Sequence, residues 1–168
     1  MFNFYKKHNN KLYNKLVELS RNKFFYEETK LSDTFETRIL LIFFHLGIIF
    51  NSKKNGVKNK KKNQEIFDSI FINIENHIRE LGYGDVSVNK KMKILNQIFY
   101  DILVKQNQTG NFFDSNDKLI KKYFFNNDND QTENISKLVN YFNNFYNFCF
   151  DLDPDSVING SINFIHRH

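Results

Sequence analysis

Twelve consecutive residues, Ile39-Leu40-Leu41-Ile42-Phe43-Phe44-His45-Leu46-Gly47-Ile48-Ile49-Phe50, are apolar around the whole circumference of a helix, His45 alone excepted. A helix with no polar face cannot lie on a wet surface; it must be enclosed by other elements or by lipid. At 1.5 Å per residue the run spans about 18 Å, against roughly 30 Å of bilayer hydrocarbon. The expectation is therefore a buried central helix near Thr34 to Phe50, in which His45 is a neutral core imidazole hydrogen-bonded to a neighbouring helix. One Pro, Pro154, and six Gly in 168 residues leave long helices as the natural surroundings for it. The fold class expected is all-α, one domain over residues 1–168, a bundle of about five to seven helices.

Helical spacing recurs on both sides of this segment. A first helix is expected from about Phe4 to Leu19, with Leu12, Leu16 and Leu19 inward. Phe24 to Leu31 lacks a period and reads as a short connector. Asp33 has the chemistry of an N-cap, with Glu36 three residues on as in a capping box. Asn51 to Asn63, with Lys53, Lys54, Lys58, Lys60, Lys61 and Lys62, reads as a polar loop inside the domain. The third helix carries Ile66, Phe67, Ile70, Phe71, Ile74, Ile78 and Leu81 on one stripe and stops at Gly82, a left-handed cap. Glu75 and Arg79 are an i, i+4 pair on its surface. The fourth aligns Val88, Met92, Leu95, Phe99, Ile102 and Leu103. A short helix near Lys118 to Phe125 and a last long one from about Glu133 to Cys149 follow, with a tail making one turn near Val157 to Phe164.

The net charge of +5 is unevenly distributed. Residues 1 to 62 hold 14 Lys and Arg against 5 Asp and Glu, and the remainder hold 10 against 14. The basic half attracts anionic surfaces, phosphate backbones or acidic lipid alike, within about 8 Å at physiological salt. No aromatic residues interleave with Lys53 to Lys62, which disfavours base stacking, and DNA is not an expected partner.

Catalytic signatures are missing: there is no Gly-x-Ser-x-Gly, phosphate-binding loop or His-Glu-x-x-His. Gly82-x-Gly84 follows no strand and lacks the third glycine of a dinucleotide fingerprint, so it reads as a cap and turn. The single Cys149 has neither a disulfide partner nor neighbouring zinc ligands. No enzyme activity, cofactor or metal is expected. Arg38 on the central helix is expected to form a semi-buried ion-pair cluster with Asp33 and Asp68, because a lone guanidinium is costly to bury. Met1 to Lys7 lacks the charged-then-apolar pattern of a secretory leader, so a cytoplasmic location is expected.

Several of these residues also form a pattern: Leu12-Tyr13, Phe25-Tyr26, Asp33-Thr34, Arg38, His45, Phe67-Asp68, Arg79-Glu80-Leu81-Gly82-Tyr83-Gly84-Asp85, Val88, Lys90 and Phe99-Tyr100. Over about Leu12 to Leu103 the chain resembles the ubiquinol-cytochrome c chaperone family, and the Arg-Glu to Gly-Asp element is the most specific part. The resemblance implies a helical assembly chaperone that binds newly made cytochrome b and supports biogenesis of ubiquinol-cytochrome c reductase. It implies an aromatic-lined helical groove for the client. It further implies work at the inner membrane face of a bacterium, or on the matrix side in a mitochondrion, with the ribosome exit region and a small helical protein as possible partners. The candidate binding residues it marks are Tyr26, Asp33, Thr34, Arg38, His45, Asp68, Arg79, Glu80, Gly82, Gly84, Asp85 and Tyr100. Two rival readings use the basic half of the chain: an RNA- or ribosome-associated binding module, and a protein held at an anionic membrane surface by Lys53 to Lys62.

Overall fold

The computed structural model describes residues 10–52, 60–107 and 116–167. Among these there are seven α-helices and no strand: α1 (Lys11–Ser20), α2 (Phe35–Ser52), α3 (Lys60–Glu80), α4 (Asp85–Asn107), α5 (Asn116–Phe124), α6 (Thr132–Phe150) and α7 (Pro154–Ile158). The all-helical class is as the sequence implies.

Helix α2 is the axis, packed by α1, α4 and α6. Ile39, Leu41 to Gly47, Ile48 and Ile49 are buried, as residues apolar on every side require. Leu40 and Phe50 are the exceptions; each is half-buried and opens onto a groove. The helix is also longer than its apolar run. By length and composition its 18 residues could cross a membrane, but 61% of them are enclosed within the protein. Enclosure, more than length, argues for a core helix.

Two polar devices lock the centre. His45 Nδ1–H donates to the Leu41 carbonyl at 2.6 Å, and its Nε2 accepts from the Tyr141 hydroxyl of α6 at 2.8 Å. The rings of Phe25, Phe142 and Phe145 surround the imidazole, and burial pushes its pKa down to about 4. Opposite this pair, Gly47 leaves room for Gln106 of α4, which is buried and donates from Nε2 to the Phe44 carbonyl at 3.4 Å. A side chain at position 47 would meet Gln106.

Other elements differ from expectation in specific ways. Residues 1–9 lie outside the described residues, so only Lys11–Ser20 of the first helix can be compared. The aperiodic Phe24 segment is a π-helical turn, Phe24–Glu28, closed by Thr29 N–H to the Phe24 carbonyl at 3.2 Å. Its wider turn faces both Phe24 and Phe25 into the core, which neither a 3.6 nor a 2.0 period anticipates. The N-cap of α2 is Thr34, whose Oγ1 accepts from Thr37 N–H at 3.2 Å. Asp33 is drawn instead to the full charge of Arg38, a stronger acceptor arrangement than a cap offers. Of the lysine loop, Lys53, Lys54 and Lys58 lie outside the described residues, whereas Lys60, Lys61 and Lys62 are the first residues of α3. Beyond α6, α7 and the buried Ile162 fold back on α1, where Gly160 (φ +67°) passes the Lys11 carbonyl so closely that a Cβ would lie 2.6 Å from it.

Candidate functional site

Helix α3 must reverse direction to let α4 return along α2, and the sequence spanning that reversal is Arg79 to Asp85. Gly82 supplies φ +94°, open to solvent and accessible to glycine without steric cost. Its N–H closes on the Arg79 carbonyl at 2.9 Å. Gly84 then starts α4, its carbonyl accepting from Val88 N–H at 2.9 Å, and Asp85 stands in the first turn, where the helix dipole favours a carboxylate. Arg79 braces the corner: Nη2 holds Glu75 Oε1 at 2.8 Å and Nη1 holds Asp85. One guanidinium thus ties the last turn of α3 to the first turn of α4. Glu80 is exposed beside this corner; burial, and secondarily the Glu80 charge, pushes the pKa of Tyr13 up to about 12.

The braced corner forms one rim of an apolar groove of about 320 Å³. Phe35, Ile39 and Leu40 of α2 contribute one wall, and Ile78 and Leu81 a second. Ile94, Leu95 and Ile98 of α4 face them, with Tyr83 from the turn and Tyr123 from α5 at the edges. Leu81, Tyr83 and Ile94 are 52%, 44% and 47% exposed, so the apolar lining continues out onto the surface. An apolar patch of this kind on a helical protein marks a place where another apolar surface docks. The charged groups at the groove are Glu36 and Lys91, with Lys91 Nζ 4.6 Å from the centre of the Tyr83 ring.

The opposite wall of α5 is fixed by a polar clasp. Asp101 of α4 accepts from Lys105 at 2.8 Å, Lys122 at 2.9 Å and the Tyr123 hydroxyl. Burial alone would raise the Asp101 carboxyl; these three donors outweigh it and hold it well below the usual carboxylate range. The clasp keeps Tyr123 at the groove edge.

A second set of sequence-marked residues adjoins the groove. Arg38 holds Asp33 through Nε at 2.8 Å and Nη2 at 2.7 Å, and the Tyr26 hydroxyl, which feels both of these charges, donates to the Ser20 carbonyl at 2.6 Å. Tyr26, Asp33 and Arg38 are therefore brought together, pinning the connector to the start of α2. Asp68 is not part of this cluster: it lies on α3 and accepts from Gln64 at 2.8 Å. The pair is also less buried than expected, with side chains 36% and 52% exposed for Arg38 and Asp33, because it lies at the end of α2 and not along its enclosed middle. His77 of α3 is half-buried against Phe35, ring centres 5.1 Å apart. His45 belongs to the core and reaches no surface. Tyr100 is exposed on a separate, more open groove with Phe67, 5.6 Å away.

Lys91, Ile94 and Tyr123 lie outside every motif of the sequence, and Leu40 and Tyr83, although inside the apolar run and the Arg79 to Asp85 element, were not marked as binding residues. A signal for part of the groove does exist in α4: Val86, Ile94 and Val104 are apolar yet fall off the Val88-Met92-Leu95-Phe99 stripe, and all three are exposed. A helix with apolar residues outside its core stripe has a second surface to cover.

A family model described as ubiquinol-cytochrome C chaperone matches residues 27–164. Among solved structures, the fold matches one described as the crystal structure of the Cbp3 homolog from Brucella abortus, with a TM-score of 0.74 and 21% identity over 93% of this chain and 87% of that one. No curated protein matches the chain by sequence.

Proposed function

The chain belongs to the ubiquinol-cytochrome C chaperone family, and from that premise we propose that it binds newly made cytochrome b through the groove between α2, α3 and α4. Family membership supports the role of an assembly chaperone for ubiquinol-cytochrome c reductase, and in this reading the protein acts by binding and not by chemistry. The observation that carries the finer reading is the groove itself: an apolar surface left uncovered, on walls tied together by the Arg79 brace and the Asp101 clasp. Walls tied in this way let the site keep its shape while empty, so less ordering entropy opposes capture. A subunit made of membrane-spanning helices is in need of such a cover before its own partners arrive, because each of its helices is apolar over about 20 residues.

In this reading the protein works at the membrane face where the client is made: the inner membrane face of a bacterium, or the matrix side of a mitochondrion. Contacts with the ribosome exit region, a small helical partner or anionic lipid enter through the family resemblance and the basic N-terminal half. The test is a deletion strain complemented by the wild-type chain or by Ile94→Asp, with haem-loaded cytochrome b measured in membranes and its messenger measured alongside. Restoration by the wild type but not by Ile94→Asp, at equal messenger and equal chaperone abundance, is expected. A normal level of the complex in the deletion strain contradicts the proposal, and a general translation defect would favour a ribosome-binding role.

A further inference from the structure

Among the described residues Lys91 is the one lysine lining the apolar groove, and its surroundings are incomplete. It is half-buried in the second turn of α4, far from the helix C-terminus where a dipole would favour a cation. Among the described residues it makes no ion pair with a carboxylate; its contact is the Tyr83 ring face. Lys90 and Lys93, its neighbours on α4, are exposed to water, and Lys122, beside Tyr123 at the groove edge, is paired with Asp101. When a partner covers the groove, the Lys91 ammonium loses water, and a desolvated cation is costly unless it gains an anion. Glu36 makes no matching demand. It is exposed and sits in the first turn of α2, where the dipole already stabilises a carboxylate.

We propose that the groove accepts a helix whose apolar face carries one carboxylate, and that Lys91 is the residue that selects it. The walls are themselves helices, whose side-chain ridges and gaps are what a further helix packs into. Tyr83, lying over Lys91, moves aside or stacks on the same ion pair when the carboxylate arrives. Charge at this position then does what charge does at interfaces: it fixes register and rejects the wrong partner, while Leu40, Leu81 and Ile94 supply the adhesion. The inference rests on the groove being the client site and names the chemistry of what enters it.

The test uses the full chain and three labelled 20-residue helical peptides with one shared leucine-rich face, bearing Glu, Gln or Lys at its centre. Binding is followed by fluorescence anisotropy to wild type, Lys91→Glu, Lys91→Met and Ile94→Arg, each checked for unchanged helicity. The Glu peptide is expected to bind wild type about tenfold more tightly than the Gln peptide. Lys91→Glu should reverse the order in favour of the Lys peptide, Lys91→Met should remove the discrimination, and Ile94→Arg should weaken all three. Equal binding of the three peptides to wild type, with Ile94→Arg still disruptive, overturns the role of Lys91 and leaves the groove reading standing. No binding by any peptide, or binding indifferent to Ile94→Arg, defeats the groove reading itself. Displacement of the Glu peptide by phosphatidylserine vesicles, lost in Lys91→Glu, would assign Lys91 to lipid headgroups and also overturn the proposal.

Discussion

Replacing Gly47 with Ala separates two opposing effects at the centre of the molecule. In an unhindered helix interior the substitution stabilises by about 1 kcal/mol, because Ala restricts the unfolded chain and suits the helix better. Here a Cβ would lie 3.3 Å from Gln106 Cδ and closer still to its Oε1. Gln106 is buried, so moving its amide aside means repacking it among its neighbours. It must leave its long bond to the Phe44 carbonyl, costing about 0.5–1 kcal/mol, and crowd the α2–α4 contact, costing typically 1–3 kcal/mol. The crowding outweighs the propensity gain, and a net loss of about 1–2 kcal/mol is expected, lowering the melting temperature by roughly 2–8 °C for a chain this size. Urea unfolding followed by circular dichroism on Gly47→Ala, Gln106→Ala and the double variant gives the coupling directly. With Gln106 shortened, Gly47→Ala should regain its usual stabilising sign, a coupling of at least about 1 kcal/mol. A single Gly47→Ala variant more stable than wild type would refute the packing described for α2 and α4.

Three further outcomes follow from the geometry. Gly82→Ala meets no atom, so its cost is the positive φ alone, about 1 kcal/mol by urea midpoint, and an unchanged midpoint would contradict the turn. Arg38→Ala breaks an ion pair that is more than a third exposed on both sides, and the expected loss is below about 1 kcal/mol; a loss near the 3–5 kcal/mol typical of buried pairs would mean a far drier site. His45 is held neutral, with its pKa lowered from 6.5 to about 4, so its contribution is fully present above pH 6.5 and is lost as pH falls through 6.5 towards 4. That gap amounts to about 3 kcal/mol, and the slope of stability against pH in this window should flatten in His45→Gln; identical slopes would contradict a buried neutral imidazole.

What could be read from the sequence divides along physical lines. The central helix was legible because twelve apolar residues in a row leave only one kind of environment, and Gly82 because its conformational freedom acts locally. The Tyr26, Asp33 and Arg38 grouping was legible in part: Arg38 found Asp33 but not Asp68, since which helix surface faces the start of α2 is a tertiary question. The cap of α2 shifted by one residue for a related reason. Asp33 had two suitors, and sequence chemistry alone does not rank a cap against a cation arriving from its own next turn. Tyr141, fully buried against His45, was hidden because its position lies beside the aliphatic stripe of α6 and its hydroxyl gave no hint of a partner 96 residues away. The groove was the least legible feature, being made where three helices fail to close on one another.

The central claim is that this groove holds the newly made client. A photoreactive amino acid placed at position 94, inside the groove, and separately at position 137, on α6 and outside the groove lining, can be activated in cells while cytochrome b is being synthesised. A crosslink to cytochrome b is expected from position 94 and none from position 137. Equal crosslinking from both positions, or a crosslink from position 94 to ribosomal protein alone, would contradict it.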